Sequence, residues 1–232
     1  MSEQSARLLS KRKLLEGLGD GLRSLGYAPV PGPSGGCAAL FYKCVDDLVL
    51  TLGVELSTRY KDRFTASLYL APSFEWAYMP SDFPRNAYQR VGLTLLPEER
   101  ARLLDPLFAQ EGVVDSWWIG FNELAIASFV GAVQLAEPRF LSQPALRDEI
   151  RRSEKMKKHV TMVARVLEIA ERMVRCPDGL RYQPPRAHVA VPRKYYCAAE
   201  VVLSEMASEK ITPAYVELIA NDAWRKATLC CG

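Results

Sequence analysis

The chain has 232 residues, 49 % of them hydrophobic and 25 % charged, with 30 Lys and Arg against 27 Asp and Glu. That is enough chain to bury a large core without staples, and the composition excludes a largely disordered, collagen-like or disulfide-dense protein. The formal net charge of +3 is too small to name a partner.

Residues 5–26 read as a helix, because Leu8, Leu15, Leu18, Leu22 and Leu25 make one apolar stripe. Gly17, Gly19 and Gly21 weaken it by roughly 1 kcal/mol each relative to Ala. They follow no strand and lack the Lys-Ser/Thr of a phosphate loop, so they read as close packing against a sheet or as a helix break. Gly26 ends the helix, and the Pro- and Gly-rich run 29–36 is a loop.

Three strands follow. Ala38 to Cys44 is strand-like. Leu48, Leu50, Leu52, Val54 and Leu56 alternate with Val49, Thr51, Gly53, Glu55 and Ser57, and Phe64, Ala66, Leu68 and Leu70 alternate with Arg63, Thr65, Ser67 and Tyr69. Turns fall at residues 45–47 and 58–62. The expected unit is an antiparallel meander with one apolar face, covered by the first helix.

Residues 72–92 are irregular, with three prolines and the aromatics Phe74, Trp76, Tyr78, Phe83 and Tyr88. Long loops in compact domains are often functional, and aromatics suit partner binding, although such rings also cap sheet edges. Helices dominate thereafter. One starts at Pro97, and one covers DSWWIGFNELAIASFVGAVQL with Asp115 or Ser116 as cap. The longest runs from about Ala145 to Arg175, another from Pro192 to about Ala207, and the last begins at Thr212-Pro213. Strands in the first third and helices after them imply an α+β fold. A single unit is expected, with a subdivision at 1–105 and 115–232 as the alternative.

The chemistry-bearing residues are sparse. The six cysteines, Cys37, Cys44, Cys176, Cys197, Cys230 and Cys231, form no C-x-x-C pair, and the N-terminal segment has no secretory pattern. Both features point to a cytoplasmic protein with reduced thiols. His159 and His188 have no tight Cys/His neighbours, so no metal and no cofactor is expected. His159, in KMKKHV, reads as part of a solvated basic face. The longest apolar candidate, Ile126 to Ala136, falls short of the roughly 18 apolar residues of a membrane span and reads as a buried helix. The terminal Cys-Cys-Gly is not a prenylation pattern.

Glu55 and Tyr69 share the polar side of the sheet. They are the weak catalytic candidates if helices cover that side and perturb Glu55; an open, solvated face is favoured. Residues 145–194 carry 13 Lys and Arg against six acids, whereas residues 97–142 carry three against seven. Arg151, Lys155 and Lys158 share one helical face that suits phosphates. A solvated face with pairs such as Asp148–Arg152 and Glu154–Lys158 is the plainer reading, so nucleic acid is a minority expectation.

The pattern Lys13-Leu14-Leu15, Leu22, Leu25-Gly26-Tyr27 and Phe41-Tyr42-Lys43, followed by strands at 48–56 and 64–70, resembles bacterial α+β domains of unknown function related to toxin-immunity proteins. The resemblance covers about residues 10–75 and implies no catalytic residue. Taken with the aromatic segment, it favours a non-enzymatic protein that binds another protein, with toxin neutralisation as one concrete version. The contact candidates are Trp76, Tyr78, Phe83 and Tyr88, then Trp117 and Trp118. An enzyme or small-ligand site on the polar sheet face is the alternative, and a nucleic-acid-associated protein the third reading.

Overall fold

A computed structural model describes residues 9–30, 37–46, 48–72, 74, 87–104, 116–143, 146–176, 191–206 and 212–229, without the side chain of Lys155. Helix α1 (Lys11–Arg23) is capped by Ser10, whose side chain accepts from the Lys13 N–H. Gly26 stops the chain in the left-handed region at φ 85°. The described part of the first helix is thus shorter than its leucine pattern implied.

Strands β1 (Ala28–Pro29), β2 (Ala39–Val45), β3 (Leu48–Leu56), β4 (Arg63–Ala71) and β5 (Tyr88–Arg90) pair antiparallel in chain order. Strand β6 (Trp118–Ile119) continues the same edge, pairing Arg63 with Ile119 and Phe64 with Trp118. Strands β3 and β4 match the alternation read from the sequence, and β2 matches the strand-like run before them. The short strands β1, β5 and β6 have too few residues to show a period.

Register divides the sheet into two faces. Leu50 opposes Leu70, Leu52 opposes Leu68, and Val54 opposes Ala66 on the apolar face. Leu14, Leu18 and Leu22 of α1 pack there, as expected. So do Phe129, Ala132, Val133, Ala136 and Phe140 of α4 (Glu123–Leu141). The two helices lie against each other through the glycines. A Cβ on Gly17 would sit 2.7 Å from Ile126 Cδ1, and one on Gly21 would sit 2.6 Å from Val130 Cγ2. The close packing expected of these glycines is therefore against a helix for Gly17 and Gly21, and against the sheet only for Gly19, which faces Phe41 of β2.

Helix α4 starts at Asn122, whose side chain accepts from the Ala125 N–H. The proposed cap at Asp115 or Ser116 is not used: Trp118 and Ile119 are drawn into β6 instead. Helix α4 is the one described helix with the length and apolarity to cross a membrane, but its apolar face lies in the sheet core. Helices α2 (Val91–Thr94) and α3 (Pro97–Leu103) lie between β5 and β6 in the chain. Glu99 reaches back to the Leu96 N–H and holds Arg139 of α4 in a two-pronged pair.

The long helix read at 145–175 is two helices, α5 (Leu146–Arg152) and α6 (Glu154–Arg172). Ser153 is extended, with φ −62° and ψ 116°, and its hydroxyl caps α6 by accepting from the Met156 N–H. A serine inside the apolar stripe offers the backbone an alternative to helix, and here the chain takes it. Helices α7 (Arg193–Met206) and α8 (Pro213–Leu229) follow. Thr212 and Pro213 start α8 as the sequence indicates, with the Thr212 hydroxyl accepting from the Tyr215 N–H.

Helices α6, α7 and α8 form a second core around Val163, Val166, Val202, Leu203, Ile219 and Ala223. A disulfide joins Cys176, just after α6, to Cys197 in α7. This corrects the expectation of reduced thiols for that pair, whose partners come together only when the two helices pack. Cys37 and Cys44 are not bonded to each other.

Candidate functional site

The second face of the sheet carries Glu55, Thr65, Ser67, Thr51 and Tyr69, with Tyr88 and Arg90 of β5 beside them. It is neither fully open nor fully covered. Thr51, Ser67 and Tyr69 are buried, with Tyr69 only 2 % exposed. Glu55, Tyr88, Arg90 and Trp117 are half-buried, and Ile119 is 40 % exposed.

The covered half lies under the three-helix unit. Asp222 of α8 accepts the Phe74 N–H through Oδ1 at 2.9 Å and meets His159 Nε2 of α6 through Oδ2 at 2.6 Å. Asp222 and His159 are both buried. One carboxylate thereby ties two helices to the chain leaving β4. Phe74 also stacks edge-on against Tyr42, in a small apolar cluster with Val30, Cys37, Leu40 and Val49 that Leu229 of α8 packs against.

Burial alone would raise the Asp222 carboxyl. The hydrogen bond and charge of His159, with Lys226 and the Phe74 N–H, outweigh that and hold it below the ordinary value. Burial, then the charge of Asp222, pushes the Tyr69 phenol well above its usual range. His159 is therefore not on a solvated basic face: its pattern of flanking lysines hid a buried position one helical step away. Asp222 was missed altogether, since a single aspartate on a helix carries no motif.

The open half forms where β5 and β6 share the outer edge of β4. That shared edge brings residues distant in sequence together. The Arg90 guanidinium lies 5.7 Å from the Trp117 ring centre, and its Nη2 is 3.4 Å from Glu55 Oε2. Tyr88, two residues earlier on the same face of β5, shares a hydrogen bond with Ser67, its hydroxyl 2.9 Å from Ser67 Oγ. Thr65 donates to the Ser116 carbonyl at 2.6 Å, fixing the entry to β6. Gly92 makes room for that entry: a Cβ there would lie 2.3 Å from the Ser116 side chain.

The β3–β4 turn closes the open half. The Tyr60 N–H donates to Ser57 Oγ, and the Gly120 N–H to the Asp62 carbonyl. The Tyr60 ring lies 5.4 Å from the Arg59 guanidinium and 4.2 Å from that of Arg63.

These positions sort the candidates read from the sequence. Trp117 meets Arg90, whereas Tyr88, two residues before Arg90 on β5, stands opposite Tyr69, towards the covered half. Trp118 does not join them: it is 2 % exposed, on the apolar side, stacked with Phe64 and edge-on to Phe129. Adjacent residues of a strand face opposite ways, so only one of the two tryptophans can reach the open face. Trp76, Tyr78 and Phe83 lie outside the described residues, as does His188.

Glu55 and Tyr69 do not share a site. Glu55 opposes Thr65, four residues from Tyr69 along β4, or about 13 Å at strand spacing. Glu55 is bridged by Arg90, and Tyr69 is under the helices. The preference for a fully open polar face is thus corrected for the half that holds Tyr69.

The basic helical face is also corrected. The break at Ser153 separates Arg151 from Lys158, so no single helix carries Arg151, Lys155 and Lys158. The pairing Asp148–Arg152 is present at 3.7 Å, while Glu154 takes Lys157, not Lys158. Arg165 and Arg172 both pair with Glu168. Among the described residues no group of His, Cys, Asp and Glu has the arrangement of a metal site. No family model, characterised protein or solved structure matches the chain.

Proposed function

We propose that this is a protein-binding protein that docks its partner on the open half of the sheet face. The observation carrying this reading is the Arg90–Trp117 pair at the shared β5–β6 edge, with half-buried Tyr88 two residues before Arg90 on β5. Trp, Tyr and Arg are the side chains that dominate binding energy at protein interfaces. Here they are half-buried, held by Glu55 and Ser67, and so lose little freedom when a partner arrives. The chemistry of the polar face supports the same reading over an enzyme, because Glu55 and Tyr69 are four strand positions apart. Toxin neutralisation is one version of it, resting on the resemblance of residues 10–75. The Cys176–Cys197 bond removes the argument from reduced thiols for a cytoplasmic location.

The test is affinity capture from the native host with the wild type and Trp117→Ala. A stoichiometric protein held by the wild type and lost from Trp117→Ala, with the melting temperature unchanged, supports the reading. Capture indifferent to Trp117 counts against it.

A further inference from the structure

The charges around the open half of the sheet face are lopsided. Among the described residues, Arg59, Lys61, Arg63 and Arg90 stand there against Glu55 and Asp62. Glu55 and Arg90 offset each other as a pair, so the exposed excess lies in the turn, at Arg59 and Lys61. At the tip of the β3–β4 turn, Thr58, Arg59, Tyr60 and Lys61 are all exposed. We infer that the partner docked on Trp117 and Arg90 is a protein presenting an acidic segment, which runs from the β5–β6 edge to the Arg59–Lys61 turn. This rests on the protein-binding reading above and adds the partner's chemistry.

The turn is built to hold its cations in place. Ser57 accepts the Tyr60 N–H at 2.9 Å, and the Ser57 N–H returns to the Arg63 carbonyl at 2.9 Å. The Tyr60 ring then lies near two guanidiniums, that of Arg63 at 4.2 Å and that of Arg59 at 5.4 Å. An exposed guanidinium such as that of Arg59, resting near an aromatic face, can still meet a carboxylate in a two-pronged geometry. Ile119, 40 % exposed on the same face, gives an apolar contact between the turn and Trp117. The surface therefore alternates apolar and cationic groups over a rigid sheet.

A phosphate backbone is the other polyanion such a surface could meet. Glu55 and Asp62 lie within the face, where a continuous run of phosphates would pass over them. Discrete carboxylates on a folded partner avoid both. The basic residues of α5 and α6 differ again, because their arginines and lysines are interleaved with Asp148, Glu154 and Glu168 on the same surface.

The experiment titrates the full chain at low salt with two labelled probes, poly-L-glutamate and an oligothymidylate of similar charge, by fluorescence anisotropy. Three proteins are compared: the wild type, Arg59→Glu with Lys61→Glu, and Lys157→Glu with Lys158→Glu as a control of equal charge change. Both pairs of residues are exposed, and thermal melting checks that each variant is folded. The expected result is that poly-glutamate binding weakens about tenfold in the turn variant and stays within about twofold in the control. Equal weakening in both, no binding of poly-glutamate to the wild type, or tighter binding of the oligothymidylate through the turn would each overturn the inference. If capture of a host protein still depends on Trp117 while poly-glutamate binding ignores the turn, the protein-binding reading stands and the acidic partner falls. If capture ignores Trp117, the protein-binding reading falls first.

Discussion

Asp222→Ala is the substitution whose cost the structure defines best. The native carboxylate has two buried partners, the Phe74 N–H at 2.9 Å and His159 Nε2 at 2.6 Å. Alanine leaves both without an acceptor in a place water does not reach. A buried polar group deprived of its partner costs about 1–3 kcal/mol, and two such groups lose the same carboxylate here. The expected loss is therefore about 2–6 kcal/mol, a large share of a typical domain's stability. Asp222→Asn keeps an oxygen for the Phe74 N–H and a side chain of the same size, so its loss is expected to be about half as large. Equilibrium urea denaturation followed by circular dichroism measures both. Because Asp222 joins α6 and α8 to the segment after β4, hydrogen exchange is expected to rise in α6, α8 and β4 together. A cost below about 1 kcal/mol for Asp222→Ala, or equal costs for the two variants, would refute the assignment of this carboxylate as the tie between the units.

Four other outcomes follow from the same structure. Acid weakens the fold. The folded Asp222 carboxyl lies below the 3.8 of a free aspartate, and Arg139, chiefly through its hydrogen bonds, holds Glu99 at about 2 against 4.5. Their stabilisation is complete above the free values and lost as pH falls through the folded ones. Wild-type stability is expected to fall from about pH 4.5 towards pH 2, with a shallower decline in Glu99→Gln.

Reducing the Cys176–Cys197 bond, which spans 21 residues, is expected to cost about 3 kcal/mol by the loop-closure relation, read as a lower melting temperature in a dithiol reductant. An unchanged melting temperature, or no bond in non-reducing peptide mapping, would remove that staple. Trp118→Ala is expected to cost about 3–5 kcal/mol because it empties an aromatic core position, whereas Trp117→Ala is expected to cost under about 1 kcal/mol. Gly92→Ala pushes against Ser116 and is expected to cost about 1–3 kcal/mol and to weaken partner binding by displacing Trp117.

The long strands were legible because period-2 alternation is a local property and one sheet face is buried. The helix starts at Pro97 and Thr212-Pro213 were legible for a similar reason, since caps act within one turn. What was not legible depends on residues far apart in sequence. Ser153 fits the helical stripe as well as its neighbours do, and only its hydroxyl's competition for the backbone ends α5. Strand β6 has two residues, and its pairing with β4 is decided by an edge that β5 leaves free. His159 is surrounded by lysines in sequence, but its burial is set by Asp222, 63 positions away. The open half of the sheet face was half legible. Tyr88 and Trp117 could be nominated from composition, but Arg90, which packs near Trp117, looked like any surface arginine.

The most direct test of the account is a hydrogen-exchange footprint of the protein with its captured host partner. Protection confined to residues 57–63, 88–90 and 117–119 is the predicted result. Protection on α5 and α6 with those segments unchanged would contradict it.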